Sequence, residues 1–400
     1  MGAPPKELLR DAGGKIVLLV IDGLSGLPDP KTGRTEMETA RLPQLDALAQ
    51  RSSVGRMQLL PPGLTPGSGP GHLALFGYNP MEIDFGRGVL EALGSDYALK
   101  PGEIAARGNF CTLDQNGIVR DRRAGRPSDT DCRRLCETIA RNVRVAGAKF
   151  SILPGKEHRF TLVLAGDRLG HRLSDNDPQV EGKSTPPFRG FDASGERTAQ
   201  LVTKFAEEVR TALRGEVAAN GVLLRGFSSL PPIEPYAERY RLRAAAIAIY
   251  PMYRGVARLV GMDVLAPGKD LAAQIASAKA AWQQYDFFFL HTKDADTAGH
   301  SGEFARKVEA LEMVDRHIPA LLELGAEVVL ITGDHSTPCV HREHSWHPVP
   351  VIIASQRALP IAGTSFSERG VIGGELGCFA AEHMIQLALA HADRLDKFGA

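Results

Sequence analysis

The chain lacks an excess of either charge. Its 400 residues carry 47 Lys+Arg against 47 Asp+Glu, so the formal net charge is zero. A nucleic-acid binder or a protein held on an anionic membrane would show a basic surplus, so neither partner is expected. Any preference for anions must come from local arginine clusters. Cysteine is also sparse. The five, Cys111, Cys132, Cys136, Cys339 and Cys378, are odd in number and fit no zinc or redox spacing. No disulfide framework is expected, and the compartment is taken as reducing and cytoplasmic. The longest aliphatic run, Ile16 to Ile21, is far too short to span a bilayer. Met1 to Arg10 has no apolar signal core, and Lys6 stands where a myristoylation motif wants Ser or Thr. There is no internal repeat and no low-complexity tract.

What is present is an ordinary globular composition, 43% hydrophobic and 24% charged. The length suggests two or three domains, or one large domain carrying an insertion. Apolar runs at Lys15–Ile21, Asp286–Leu290, Glu327–Thr332 and Val349–Ala354 read as strands buried on both faces of a parallel sheet. Helical patterns at Leu42–Arg51, Asp270–Gln284, Gly302–Leu324 and Glu375–Ala392 separate them, which gives an α/β class: a mostly parallel sheet flanked by helices. The middle reads differently. Asn109–Leu113 and Ile118–Arg120 flank an Asn-Gly turn, and Thr161–Ala165 with His171–Leu173 suggests a second hairpin. Helices are expected over Thr130–Val145 and Glu196–Ala218. An α+β substrate domain, residues 109–241, is therefore expected between the two halves of a core domain, residues 1–108 and 242–400.

The acids and histidines follow the strands. Asp22 ends the first run, Asp296 and His300 lie four apart after the second, and Asp334-His335 follow the third. Open α/β sheets gather their sites at the C-terminal ends of the strands. His341, His344 and His347 crowd before Pro348. Carboxylate mixed with imidazole suits Zn, Mn or a similar divalent ion. The loop Thr65-Pro66-Gly67-Ser68 opens onto an apolar helix, which places the Ser68 hydroxyl at a helix N-terminus suited to phosphate. Bound metal would make it a nucleophile. Arg122, Arg123 and Arg126, three arginines in five residues, could clamp a carboxylate and a phosphate. His171, Asp175 and Asp177 could supply acid/base groups, and Lys293 could neutralise phosphate charge.

The strings TPGSGPGHLALFGYNP, HTKDADTAGHSG, TGDHSTPC and HSWHPVP, with NFCTLD, DRRAGR and YPMYRGVARLVGM, resemble the cofactor-independent phosphoglycerate mutases of the archaeal type. The likeness runs through nearly the whole chain in order. It implies an alkaline-phosphatase-like core with an inserted substrate domain, and no need for 2,3-bisphosphoglycerate. It implies two divalent ions (Mn, Zn, Co or Mg), one on Asp22, Ser68, Asp334 and His335, the other on Asp296, His300 and His344. His344 is preferred to His347 because the family's histidine stands four residues before the Pro of PVP. Ser68 would take the phosphoryl group from one glycerate oxygen and return it to the other, with the insert closing to exclude water. The substrate would be a small phosphorylated carboxylate, and a homo-oligomer is one option for the assembly. Many relatives carry Asp, Ala and Asp where this chain has Gly69, Gly71 and His347, which bears on the surroundings of the site. The alternative is a phosphatase or phosphotransferase acting on another small ester such as homoserine phosphate.

Overall fold

The computed structural model describes residues 4–399. Its strands, in chain order, are β1 (Ile16–Ile21), β2 (Ser53–Gln58), β3 (Ile104–Leu113), β4 (Val119–Asp121), β5 (Lys149–Pro154), β6 (Arg159–Ala165), β7 (Gly221–Ser229), β8 (Ala244–Ile247), β9 (Asp263–Val264), β10 (Phe287–Thr292), β11 (Val328–Thr332), β12 (Val349–Ala354) and β13 (Gly377–Ala380). The chain divides into two compact units, one of Met1–Ile83 with Ile233–Ala400, the other Asp84–Pro232.

The first unit is built on an eight-stranded sheet of order β13-β2-β12-β11-β1-β10-β8-β9, in which only β12 runs against the rest. The continuous aliphatic and aromatic runs form its centre because both faces are covered. Val17, Leu19 and Ile21 pack with Leu45, Leu48, Ile275, Leu311 and Ile318 of helices Pro43–Ala49, Leu271–Ala280 and Phe304–Leu322. The alternate positions face the other way, where the Phe289 ring meets Phe76 at 5.0 Å. Each such fully buried large side chain contributes about 1.5–3 kcal/mol.

Four strands of this sheet, β2, β8, β9 and β13, went unread in the sequence, as did β5 and β7 of the other. The expected helix Glu375–Ala392 is a correction. Its first part is the edge strand β13, paired parallel to β2, and the α-helix is Met384–His391. Gly377, in left-handed conformation at φ 60°, turns the chain into that strand instead of into a helix.

The second unit holds a five-stranded antiparallel sheet of order β4-β3-β6-β5, with β7 also paired to β3. Helices Asp129–Asn142 and Ala193–Ala212 cover one face, capped by Ser128 and Asp192 through the amides of Asp131 and Gly195. The β3–β4 hairpin forms with Gly117 at φ 77° in its turn. The second expected hairpin does not form. β6 pairs with β5 and β3, and His171–Leu173 makes no strand, only a bridge from Leu173 to Gly190. The unit starts at 84 instead of 109 because helix Arg87–Gly94 packs on β3 and β7, and all of β3 belongs to this sheet.

Candidate active site

Sheet register assembles the first unit's polar residues. Val20 pairs with Thr332 and Ile21 with Thr292. The next steps along the strands bring Asp22, Lys293 and Asp334 side by side beyond the C-terminal ends of three neighbouring strands. Gly23, at φ 64°, turns the chain back, and an added Cβ would meet the Asp296 Cα at 2.8 Å. Ser68 opens helix Ser68–Leu75. That helix lies so close to the Asp334 backbone that a Cβ at Gly71 would strike the Asp334 carbonyl.

Two groups of donors result. Asp22, Asp334 and His335 converge, as do Asp296, His335 and His344, each set with ligand atoms within 4.8 Å of one another. His335 Nε2 lies 3.4 Å from Asp22 Oδ1, 3.2 Å from Asp334 Oδ2 and 3.1 Å from Ser68 Oγ. His300 Nε2 and His344 Nε2 lie 3.5 and 3.7 Å from Asp296 Oδ1. The His344 ring stacks on His335 at 3.5 Å. His347 instead stacks on Trp346 and pairs with Ser345.

The tautomers suit metal binding. His300 Nδ1 donates to the Arg342 carbonyl at 2.9 Å, and His344 Nδ1 to the Pro66 carbonyl at 2.8 Å. Thr337 Oγ1 donates to Asp296 Oδ1 at 2.8 Å, so it accepts from His335 Nδ1 at 3.0 Å. All three imidazoles thus carry their proton on Nδ1 and leave a bare Nε2 facing carboxylates. Burial also lowers the His335 pKa against the pull of Asp334 and Asp22, which keeps the ring neutral. Asp22 Oδ1 and Asp334 Oδ2 are buried without a hydrogen-bond partner. Unmet buried carboxylate oxygens are costly, and a divalent cation would satisfy them. The donor set therefore fits the expected metals.

Further groups brace these donors. Lys293 Nζ lies 2.9 Å from Asp22 Oδ2 and 2.6 Å from Asp296 Oδ2. His291 Nε2 donates to Asp22 Oδ2 at 3.1 Å, and the Tyr253 hydroxyl makes a short bond to the same oxygen. Burial works against the Asp22 carboxylate, yet the His291 hydrogen bond and the Lys293 charge hold its pKa well below the usual range. His72 Nδ1 donates to the Ser68 carbonyl at 2.8 Å. Lys307, fully buried, donates to the carbonyls of Ser25 at 2.8 Å and Thr337 at 2.9 Å. Tyr253 and Thr337 stand inside strings that carry the resemblance but were not singled out, and Lys307 carried no signal, since their roles depend on packing.

In the second unit, Arg122 is engaged in two bonds to Asp177, at 3.0 and 2.7 Å. Burial raises the Asp177 carboxyl, but Arg122 more than offsets it and the group is held ionised. Asp175 is raised by burial, so of the two it is the one suited to carry a proton. Arg123 and Arg126 are exposed. His171 Nδ1 pairs with Ser229 Oγ at 2.9 Å, and Nε2 lies 3.6 Å from Asp84.

Residues 49–218 match the family model described as 2,3-bisphosphoglycerate-independent phosphoglycerate mutase. A probable 2,3-bisphosphoglycerate-independent phosphoglycerate mutase of Thermosipho africanus is 42% identical over 98% of both chains. One of Thermus thermophilus is 43% identical, over 99% of this chain and 98% of its own. Among solved structures, the PH0037 protein of Pyrococcus horikoshii aligns with TM-score 0.82 at 28% identity, covering 98% of this chain and 100% of its own. The cofactor-independent phosphoglycerate mutase of Thermoplasma acidophilum aligns with TM-score 0.72 at 27% identity, covering 95% and 99%. With relatives this similar along its whole length, the chain belongs to the family of 2,3-bisphosphoglycerate-independent phosphoglycerate mutases.

Proposed function

We propose that this chain interconverts 2-phosphoglycerate and 3-phosphoglycerate through a phosphoserine at Ser68, without 2,3-bisphosphoglycerate, using two divalent cations. The observation that carries the reading is the Ser68 hydroxyl at a helix N-terminus, 3.1 Å from His335 Nε2, beside two converging donor groups. Asp22, Ser68, Asp334 and His335 would hold one cation, and Asp296, His300 and His344 the other. When bound, the cations would lower the pKa of the Ser68 hydroxyl and offset charge on the phosphoryl oxygens.

The chain's own groups do the rest. The Ser68 hydroxyl gives up its proton and Oγ attacks phosphorus; the Oγ–P bond forms as the P–O bond to glycerate breaks, and the departing oxygen takes up a proton in exchange. Glycerate turns, its other hydroxyl gives up a proton and attacks the phosphoserine, and Ser68 is released. The positive end of helix Ser68–Leu75 favours the phosphoryl group, and the Lys293 ammonium supplies a further positive charge. Carboxylate with imidazole suits manganese, zinc and cobalt, and magnesium would be confined to the oxygen-richer group of Asp22, Ser68 and Asp334. A cytoplasmic setting fits the five unpaired thiols.

The test is a coupled assay with 3-phosphoglycerate and added Mn²⁺, no 2,3-bisphosphoglycerate, a chelator control, and free phosphate followed in parallel. Metal-dependent 2-phosphoglycerate with little phosphate is expected, and Ser68→Ala should lose at least about a thousandfold in turnover. Phosphate release without 2-phosphoglycerate would reject the mutase reading while keeping the metal site. Near-normal turnover by Ser68→Ala would reject the phosphoserine.

A further inference from the structure

Tyr253 stands in helix Pro251–Leu259, which packs on helix Ser68–Leu75. Its side chain is almost wholly buried. The ring lies 4.7 Å from His72 and is stacked on His291 at 3.7 Å. Strand alternation puts His291 on the same face of β10 as Phe289, whose ring lies 5.6 Å from His72. The Lys293 ammonium is 5.3 Å from the centre of the Tyr253 ring. A ring packed among these groups has no room to turn, so its hydroxyl is aimed at one atom, Asp22 Oδ2.

Three donors meet at that oxygen. The Tyr253 hydroxyl, His291 Nε2 at 3.1 Å and Lys293 Nζ at 2.9 Å all donate to Asp22 Oδ2. A carboxylate oxygen has two lone pairs, and the two buried, fixed donors, Tyr253 and His291, take them both. Lys293 adds charge and is shared with Asp296 Oδ2 at 2.6 Å. The other oxygen, Asp22 Oδ1, has no partner. The same division recurs at Asp334, where Oδ1 accepts from the Gly23 amide at 3.2 Å and Oδ2 has no partner. The two unpartnered oxygens are the ones that face His335 Nε2, at 3.4 and 3.2 Å. Ser68 Oγ lies 3.1 Å from the same nitrogen. Four residues thus offer one atom each.

Calcium takes about six to eight oxygen ligands, often both oxygens of one carboxylate, and imidazole does not suit it. Manganese, zinc and similar ions accept carboxylate mixed with imidazole. We propose that Tyr253 is a positioning residue that sets ion specificity: with His291 it saturates Asp22 Oδ2, confines Asp22 to one ligating oxygen, and so turns calcium away from the group of Asp22, Ser68, Asp334 and His335. Without the hydroxyl, Lys293 can withdraw to Asp296, a lone pair on Oδ2 is freed, and Asp22 can close on a larger ion with both oxygens. The proposal rests on the two-cation reading above and names the residue that selects the ion.

The test is chelator competition on the full chain, stripped of metal, with Mn²⁺ and Ca²⁺ titrated separately. Repeating it with His300→Ala, which thins only the other donor group, assigns the effect to this one. The wild type should prefer Mn²⁺. Tyr253→Phe should reduce the ratio of the two affinities at least about tenfold, with Mn²⁺ bound more weakly and Ca²⁺ no more weakly than before. A merely loosened fold would weaken both ions alike and leave the ratio unchanged. His291→Phe keeps the ring and removes the second fixed donor, so it should move the ratio the same way and serves if Tyr253→Phe does not fold. Lys293→Met should shift both affinities together and leave the ratio within about twofold, because the two fixed donors remain. A ratio unchanged in both Tyr253→Phe and His291→Phe, or moved as far by Lys293→Met, overturns the proposal. A wild type that binds Mn²⁺ no better than Ca²⁺ does so too. A wild type that binds neither ion overturns the two-cation reading and the proposal with it, whereas an altered ratio in a chain that forms no 2-phosphoglycerate upholds the proposal and rejects the mutase reading alone.

Discussion

Replacing Lys307 by Met tests how the metal-bearing loops are held. Lys307 rises from helix Phe304–Leu322 with no exposed surface, and its ammonium donates to the carbonyls of Ser25 and Thr337. Ser25 lies three residues after Asp22 and Thr337 two after His335, so one cation ties together the loops that carry donors from β1 and β11. Glu36, also fully buried, supplies the compensating charge. Its Oε1 accepts from the Cys339 amide at 2.8 Å, while Oε2 has no hydrogen-bond partner. Burial lowers the Lys307 pKa and Glu36 pulls it back. Met fills nearly the same volume, so little cavity cost arises. The substitution loses two charge-assisted hydrogen bonds, about 1.5–3 kcal/mol each, and leaves Glu36 buried without a cation. The expected loss of unfolding free energy is about 3–5 kcal/mol. Trp282 and Trp346 both lie in the first unit, so tryptophan fluorescence during urea unfolding of metal-free protein reports on it directly. Adding Glu36→Gln should restore about 1–2 kcal/mol by removing the stranded charge. Mn²⁺ affinity, measured by chelator competition, should fall about tenfold because Thr337 is displaced. A loss below about 1 kcal/mol with unchanged metal affinity would refute the reasoning.

Thr337→Val keeps shape but removes the hydroxyl that joins Asp296 to His335, so metal affinity should fall about 10–100-fold in the same chelator competition, with secondary structure by circular dichroism unchanged. His158 gives the second unit a pH dependence. Its imidazole titrates near 6.5 when unfolded and about 4 when folded, so the unfolded chain binds more protons between those values. Stability should be complete above about pH 6.5 and fall by up to about 3 kcal/mol toward pH 4, at about 1.4 kcal/mol per pH unit. Hydrogen exchange in β3 and β6 should show this slope, and His158→Gln should flatten it.

How much of this was legible in the sequence depended on whether the signal was local. The strands Ile16–Ile21, Phe287–Thr292 and Val328–Thr332 stood out because burial on both faces demands continuous apolar runs, and the donors stood out because they follow those runs directly. Ala244–Ile247 did not stand out, since three alanines carry no strand preference and the segment is a strand only because β10 pairs with it. Ser53–Gln58 was hidden by its polar residues and Gly55. Thr161–Ala165 was placed in the right conformation with the wrong partner, because pairing of a central antiparallel strand is a long-range choice. The DRRAGR string drew attention as a run of charge. Arg107 and Arg225 each sit alone in apolar strands and Arg159 follows Lys156-Glu157-His158, and only register brings the three together.

The zero net charge therefore conceals two opposite local deficits. In the first unit Asp22 Oδ1 and Asp334 Oδ2 are buried without a hydrogen-bond partner, and in the second Arg107 Nε and Arg225 Nε are. Each deficit should be relieved by its own ligand, independently of the other. A ligand that binds only the folded form adds about 2.7 kcal/mol at a hundred times its dissociation constant. Mn²⁺ alone should then raise the unfolding midpoint of the tryptophan-bearing first unit. In chelated protein, 3-phosphoglycerate should slow hydrogen exchange in β3, β6 and β7 and leave the tryptophan signal where it was. If 3-phosphoglycerate protected those strands only after metal was added, the arginines would not form a site in their own right, and the charge deficit of the second unit would have to be explained without a ligand of its own.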